Sequence, residues 1–193
     1  MPVVALVLVT ALIGCKPSSS APVMAAGSDV NLADYETQSL SDGSHAVYKM
    51  DADGNVLTYG IVRDGVKNGV WVEYHPKSVV KSVSHFINGS ETGPRLEFST
   101  RGQLEKQTTY KEGQIDGKYG EYKFGRYVKE AMYKDGQLDG AYKEYFANKD
   151  NVQKLVEFKN GKQDGKMQYF DEEGNVTLEY DYKNGEKVAG GLK

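Results

Sequence analysis

The chain has 193 residues, 24 Lys and Arg against 27 Asp and Glu, a net charge of −3 and a single cysteine. The two signs are interleaved along it, which leaves no basic stripe for nucleic acid and little pull toward anionic lipid headgroups. With one cysteine there is no disulfide framework, so an exported domain must be stable without one.

The first element in chain order is an uncharged apolar run from Val3 to Ile13. Its 11 residues are too few to cross a bilayer as a helix and have the length of a signal-peptide core. The run ends in Leu12-Ile13-Gly14-Cys15, which resembles the lipobox of bacterial lipoproteins. That resemblance implies a signal peptide over residues 1–14 and a lipid on Cys15, the first mature residue, that anchors the protein to the membrane. Lys16 rather than Asp after the cysteine implies retention at the outer membrane, facing the periplasm, in a cell with two membranes. Residues 15–41 read as the lipidated cysteine and a flexible tether, with Pro and Ser from Lys16 to Pro22 spacing the domain from the bilayer, and residues 23–41, polar and without a clear period, as either a cap on the first hairpin or a loose stretch.

The rest of the chain, residues 42–193, is periodic. Glycine pairs four apart stand at Gly65/Gly69, Gly89/Gly93, Gly113/Gly117, Gly136/Gly140 and Gly161/Gly165, and a looser copy begins at Gly185. The steps between first glycines are 24, 24, 23, 25 and 24 residues, the self-similarity of a repeat protein. Both glycines of each pair are expected to be turn residues, in links that reverse the chain into the next hairpin. Val62, Phe86, Tyr110, Tyr133, Phe158 and Tyr182 stand three residues before the first glycines. Tyr74, Phe98, Tyr122, Tyr145 and Phe170 stand five after the second, and Glu73, Glu97, Glu121 and Glu144 four after it.

Between the glycine pairs lie turn sequences: Asp51-Ala52-Asp53-Gly54, His75-Pro76-Lys77-Ser78, Ser99-Thr100-Arg101-Gly102 and Asp171-Glu172-Glu173-Gly174. Asp or Ser first, Pro second and Gly fourth suit a type I turn closed by a left-handed residue, a three-residue hairpin loop. The 23-residue step has a shortened turn at Tyr122-Lys123-Phe124-Gly125. The 25-residue step has a lengthened one at 148–151, where Asn151 is expected to take the left-handed position. Each repeat is thus predicted to be an antiparallel hairpin, and the whole an all-β, elongated, single-layer antiparallel meander of six stacked hairpins. About 12 strands would span about 55–60 Å.

Pairing outward from the 75–78 turn places Tyr74 opposite Val80, Glu73 opposite Lys81 and Trp71 opposite Val83. Strict alternation then puts Tyr74, Val80 and Phe86 on one aromatic face, as it does Phe170, Val176, Leu178, Tyr180 and Tyr182, and the Glu column on a charged face. Trp71, Tyr119 and Tyr142, two residues after a second glycine, fall on that charged face. They are the candidate partner-binding residues, because an aromatic there has less structural reason to exist and Trp and Tyr are favoured at hot spots.

Blocks such as residues 116–140 and 160–185 resemble bacterial variants of the membrane occupation and recognition nexus (MORN) repeat, and the resemblance covers roughly residues 42–190. The copy at 89–98 departs most, with Pro94 and Arg95 where aromatic or apolar residues usually lie, so a local irregularity is expected there. Related bacterial proteins are often described as antitoxins, others only as repeat lipoproteins.

Spacing bears on the chemistry. Equivalent Glu residues two strands apart are separated by about 9–10 Å. That is too far to share a calcium ion, whose oxygens lie at about 2.3–2.6 Å, or to act as the paired carboxylates of a retaining glycosidase at about 5–5.5 Å. Cross-strand pairing with Lys explains the column. His45, His75 and His85 have no Cys or Asp constellation around them, and the glycine pairs lack the strand-to-helix context of a phosphate loop. The expectation is a non-enzymatic scaffold with no metal and no cofactor, taking a protein partner. An antitoxin or immunity role and glycan binding through aromatic rows are the alternatives.

Overall fold

A computed structural model describes residues 30–147 and 149–193. The apolar run, Cys15 and the first part of the tether lie outside the described residues. The strands are β1 (Glu36–Ser39), β2 (His45–Met50), β3 (Val56–Arg63), β4 (Val66–His75), β5 (Val79–Ile87), β6 (Ser90–Glu91), β7 (Gly93–Phe98) and β8 (Leu104–Lys111). They continue as β9 (Gln114–Lys123), β10 (Arg126–Lys134), β11 (Gln137–Leu138), β12 (Gly140–Tyr145), β13 (Val152–Lys159), β14 (Lys162–Phe170), β15 (Val176–Lys183) and β16 (Glu186–Leu192). All 16 form one antiparallel sheet in which neighbours in sequence are neighbours in space. The excess over 12 comes from β1, from β16, and from two strands that break in the link between hairpins, into β6 and β7 and into β11 and β12. Pro94 does not cause the break: it pairs in register with Thr109, and the same break recurs at Asp139, where no proline stands.

Turn chemistry sets both edges of the sheet. On one edge the first glycine of each pair follows a residue also at positive φ, as at Asp64-Gly65 (51°, 79°) and Asn88-Gly89 (47°, 83°), the two-residue hairpin turn whose twist matches the strands. These turns are tied from repeat to repeat: Gly89 N–H donates to the Lys67 carbonyl, Gly113 to Glu91, Gly136 to Ile115, Gly161 to Leu138 and Gly185 to Gln163, at 2.8–2.9 Å. In the later copies Asp116, Asp139 and Asp164 accept the backbone N–H of Asp135, Asn160 and Asn184 at 3.0–3.2 Å. On the other edge, Gly54, Gly102 and Gly174 close the three-residue loops at positive φ. Asn151 does not take a positive φ; its side chain instead donates to the Glu172 carbonyl at 2.7 Å.

The second glycines are corrected from turn to strand residues. Gly69 lies inside β4, Gly117 inside β9 and Gly165 inside β14, while Gly93 and Gly140 open β7 and β12. The two-residue turn alone completes the reversal, so the chain is already running in the sheet four residues later. Gly117 pairs with Tyr133 of β10. Toward β8 it sits in a bulge: Tyr110 faces Ile115 and Thr108 faces Tyr119, so residues 116–118 oppose Thr109 alone. That irregularity, and not a turn, is where Gly117 takes its φ of 108°. A Cβ on it would stand 3.3 Å from the Thr109 side chain. All five second glycines keep a positive φ, from 68° at Gly69 to 123° at Gly165.

A second feature, present in every hairpin, was invisible to turn-based pairing. Just past each turn the second strand carries one extra residue, so Tyr74 faces Val80 but Glu73 faces Ser82, and Trp71 faces Ser84 rather than Val83. The same shift separates Phe98↔Leu104 from Glu97↔Lys106, Tyr122↔Tyr127 from Glu121↔Lys129, Tyr145↔Val152 from Glu144↔Lys154, and Phe170↔Val176 from Tyr169↔Leu178. A one-residue bulge reverses which side the rest of the strand presents. The predicted aromatic face is therefore corrected. Phe86 lies opposite in parity to Tyr74 and Val80, and Leu178, Tyr180 and Tyr182 lie opposite in parity to Phe170 and Val176. We call the side bearing Trp71, the Glu column and the Phe86 column face 1, and the side bearing Tyr74, Tyr122 and Tyr145 face 2.

The fold starts before Asp42. Val30 N–H donates to the Gly65 carbonyl at 2.8 Å, Leu32–Asp34 forms a 3-10 turn, and β1 extends the sheet. Val30, Leu32 and Tyr35 pack on the buried cluster of Val47, Val62 and Trp71. A repeat stack needs its end covered, and this segment covers it.

Candidate binding face

Face 1 is built from columns that recur at every second strand. The innermost was missed in the sequence: Gly60, Ser84, Thr108, Ala131 and Val156, five residues before each first glycine and all buried. Small or β-branched side chains are needed there because rings lie over them. A Cβ on Gly60 would stand 2.3 Å from the Trp71 ring. Beside that column, an aromatic two residues after a second glycine meets one three residues before a first glycine. The pairs are Trp71 with Phe86, Tyr119 with Tyr133 and Tyr142 with Phe158, edge to face at 6.3, 5.9 and 6.2 Å between centroids.

Trp71 does not stand free on a charged face. It is 3% exposed, its indole N–H donates to the Ile61 carbonyl at 3.0 Å, and Tyr35 packs edge-on against it. Its placement in the core follows from the bulge, which turns the Phe86 column to its side. Tyr119 and Tyr142 remain half-buried, and their hydroxyls donate to Glu121 at 2.5 Å and Glu144 at 2.7 Å. Burial, then those hydrogen bonds to carboxylates, push both phenols well above their ordinary range.

The Glu column sits at the other margin of the face, and three of its four members are engaged by cations while Glu144 accepts from Tyr142. Glu73 pairs with Lys81 at 3.2 Å, Glu97 with Arg95 at 3.2 Å and Lys106 at 3.8 Å, and Glu121 with Lys129 at 3.4 Å. Lys81 is the bulge residue and reaches Glu73 although Ser82 holds the register. The recurrence of Lys106, Lys129 and Lys154 opposite the Glu column, visible once one extra residue is allowed, is the signal from which the bulge was readable.

The second repeat departs from the pattern. Arg95 takes the place of the ring, between Glu91 at 3.7 Å and Glu97. Burial raises the Glu91 carboxyl. Lys67 lies over the rings of Trp71 and Phe86 at 4.4 and 4.9 Å, and desolvation there lowers its pKa.

On face 2, Tyr122, Tyr127 and Tyr145 lie ring upon ring at 4.6 and 5.7 Å. The Tyr122 hydroxyl meets that of Tyr127 at 3.0 Å, and the Tyr145 hydroxyl donates to Glu130 at 2.7 Å. Of the histidines, His75 donates from Nε2 to the Phe98 carbonyl at 2.8 Å and so ties two hairpins together. Among the described residues no group of three or more His, Cys, Asp or Glu side chains is placed to hold a metal ion.

A family model described as the MORN repeat variant matches residues 91–112 and 163–184. Each match runs from two residues past one first glycine to the residue before the next, one hairpin with its link. The first includes Pro94 and Arg95, so the copy that departs most in sequence is among the two matched. No curated protein matches the chain.

Proposed function

We propose that the chain is a non-enzymatic, lipid-anchored envelope protein that binds a protein partner along face 1. One observation carries this reading. In the first repeat one ring of the aromatic pair of face 1, Trp71, is covered by a segment of the chain itself, Val30 to Tyr35, while the pairs Tyr119/Tyr133 and Tyr142/Phe158 present the same geometry half-open. The face thus already accepts a packed polypeptide in one copy, and tyrosines with an apolar ring and an anchored hydroxyl suit a contact surface in the others.

The Glu column supports a structural role over a catalytic one, since its carboxylates are spent on Lys, Arg or Tyr partners. Glycan stacking is the weaker reading: on face 2 the rings spend their faces on one another and leave edges for a sugar. An antitoxin or immunity role would use the same open pairs against a toxin, and it rests on the resemblance alone.

Affinity purification from the native host with the full chain, compared with Tyr119→Ser/Tyr142→Ser, tests the partner surface. The expected result is loss of the retained protein at unchanged folding; retention by the folded double variant would reject face 1. For the anchor at Cys15, membrane fractionation of Cys15→Ser should show release into the soluble fraction, and equal membrane association would reject it.

A further inference from the structure

The shortened turn between β9 and β10 combines two properties seen together nowhere else among the described residues. Phe124 stands at φ 52° and Gly125 at 78°, a two-residue turn with its first position in the left-handed region. At the same position in the other two-residue turns stand Asp64, Asn88, Glu112, Asp135, Asn160 and Asn184, all polar. A bulky aromatic is disfavoured in that conformation, whereas Asn and Asp tolerate it by bonding locally. Phe124 is also 62% exposed, so its ring gains little burial in return. A single exposed apolar residue needs no explanation; one held at a strained position without compensating packing does.

The surroundings indicate what the ring meets. Beside it is a cleft of about 150 Å³ whose lining includes Leu104, Tyr122, Arg101, Lys123 and one carboxylate, Glu105. Lys123 lies 5.8 Å from the Phe124 ring centroid, and neither it nor Arg101 makes an ion pair among the described residues. Elsewhere on this edge Arg126 pairs with Asp150 and Lys149 with Glu172, while Lys77, two tips away, makes no ion pair among the described residues. Two cations against one carboxylate, a small positive excess, fall short of the clusters of about 4–8 that draw a chain to anionic lipid. They suit the rim of a protein contact, where one rigid aromatic fills an apolar pocket and a few charges set its approach.

We infer that the Phe124 tip is a second interaction element, separate from face 1, that inserts its ring into an apolar pocket on a protein partner whose rim is acidic. The two-residue turn holds the ring in place before contact, which lowers the ordering cost of binding.

The test has two arms. Phe124→Asn puts a favoured residue into the turn and should raise the melting temperature by about 2–4 °C; a lower melting temperature would make Phe124 a folding residue and overturn the inference. In the second arm the full chain carries p-benzoylphenylalanine at position 124, or at position 77 on another tip of the same edge as control, and is irradiated in its native host. Position 124 should give a discrete protein adduct that position 77 does not. Purified wild-type chain should compete for it about 10–30-fold better than Phe124→Asn. No adduct specific to position 124, equal competition by Phe124→Asn, or a lipid rather than a protein in the adduct would each overturn it. The adduct should survive Tyr119→Ser/Tyr142→Ser, so failure of the face 1 reading and failure of this one are told apart.

Discussion

Trp71 at the N-terminal end of the sheet and Tyr142 in its middle occupy the same position of the repeat, and they are buried by different means. Trp71 lies beneath Val30, Leu32 and Tyr35, its N–H satisfied by a carbonyl within the sheet. Tyr142 has no such cover; its ring leans on Phe158 and its hydroxyl is held by Glu144 of the same strand. A single-layer sheet has little interior, and the difference shows how it manages. Where the stack ends, a non-repeating segment is spent on making a core, and a residue with one inward-facing donor fills it. Between the ends, neighbouring repeats cover the small column, and an amphipathic ring bridges that column to the solvent.

The largest effect should come from removing the capped ring. Trp71→Ala is expected to cost about 3–5 kcal/mol, and Tyr142→Ala about 1–2 kcal/mol, both read from urea melts. Equal losses would mean that the cap contributes nothing to the burial of Trp71.

Gly60→Ala sharpens the contrast from below the ring. The new methyl would collide with the Trp71 indole, and overpacking of this kind costs about 1–3 kcal/mol. The same phase in the middle already carries Thr108, Ala131 and Val156, so the demand for glycine belongs to the capped end. A neutral Gly60→Ala in a thermal melt would show that Trp71 is free to move aside.

Within the open part, Gly140→Val should destabilise by about 1–2 kcal/mol, against less than about 0.5 kcal/mol for Lys143→Ala. Gly140 has φ 114°, and a Cβ there would come within 3.2 Å of Met132. Indistinguishable melting temperatures would remove the second glycine from the set of conformationally required positions.

The smallest effect is a pH dependence to which the open copies contribute. Both Tyr119 and Tyr142 have folded-state pKa values raised above the unfolded one, so the fold favours the neutral phenol. That stability is fully present below about pH 10 and is lost as the pH rises through the folded value. Tyr119→Phe/Tyr142→Phe should therefore melt at a slightly lower temperature at neutral pH and show a flatter decline above about pH 10. Parallel alkaline curves for variant and wild type would exclude these two hydroxyls from the linkage.

Period, hairpins and turns were legible in the residues because they are local. Asn-Gly and Asp-Gly at one edge and Asp-x-x-Gly at the other dictate backbone conformations within four residues, and columns in phase force one supersecondary unit per period. The second glycines were legible as conformationally special but not as strand residues, since the bulge that places Gly117 opposite Thr109 forms only when β8 and β9 pair. The candidate face was legible only in part. Tyr119 and Tyr142 were found by phase, but their side of the sheet was assigned with the wrong companions, and Trp71 was placed in the open. The cause is the bulge one residue past each turn, which no local sequence rule demands; it arises where two strands settle their register against each other and pair Glu97 with Lys106 and Glu121 with Lys129. Residues 30–41 carry no period, so the sequence left a cap and a loose stretch both open, and the packing of Leu32 and Tyr35 on Trp71 decided for the cap. By itself the sequence determined that this chain is a stack of hairpins and where each one turns. Which face buries its rings, and which rings stay half-open, only the tertiary structure decided, since both depend on contacts between strands and on a distant segment folding over them.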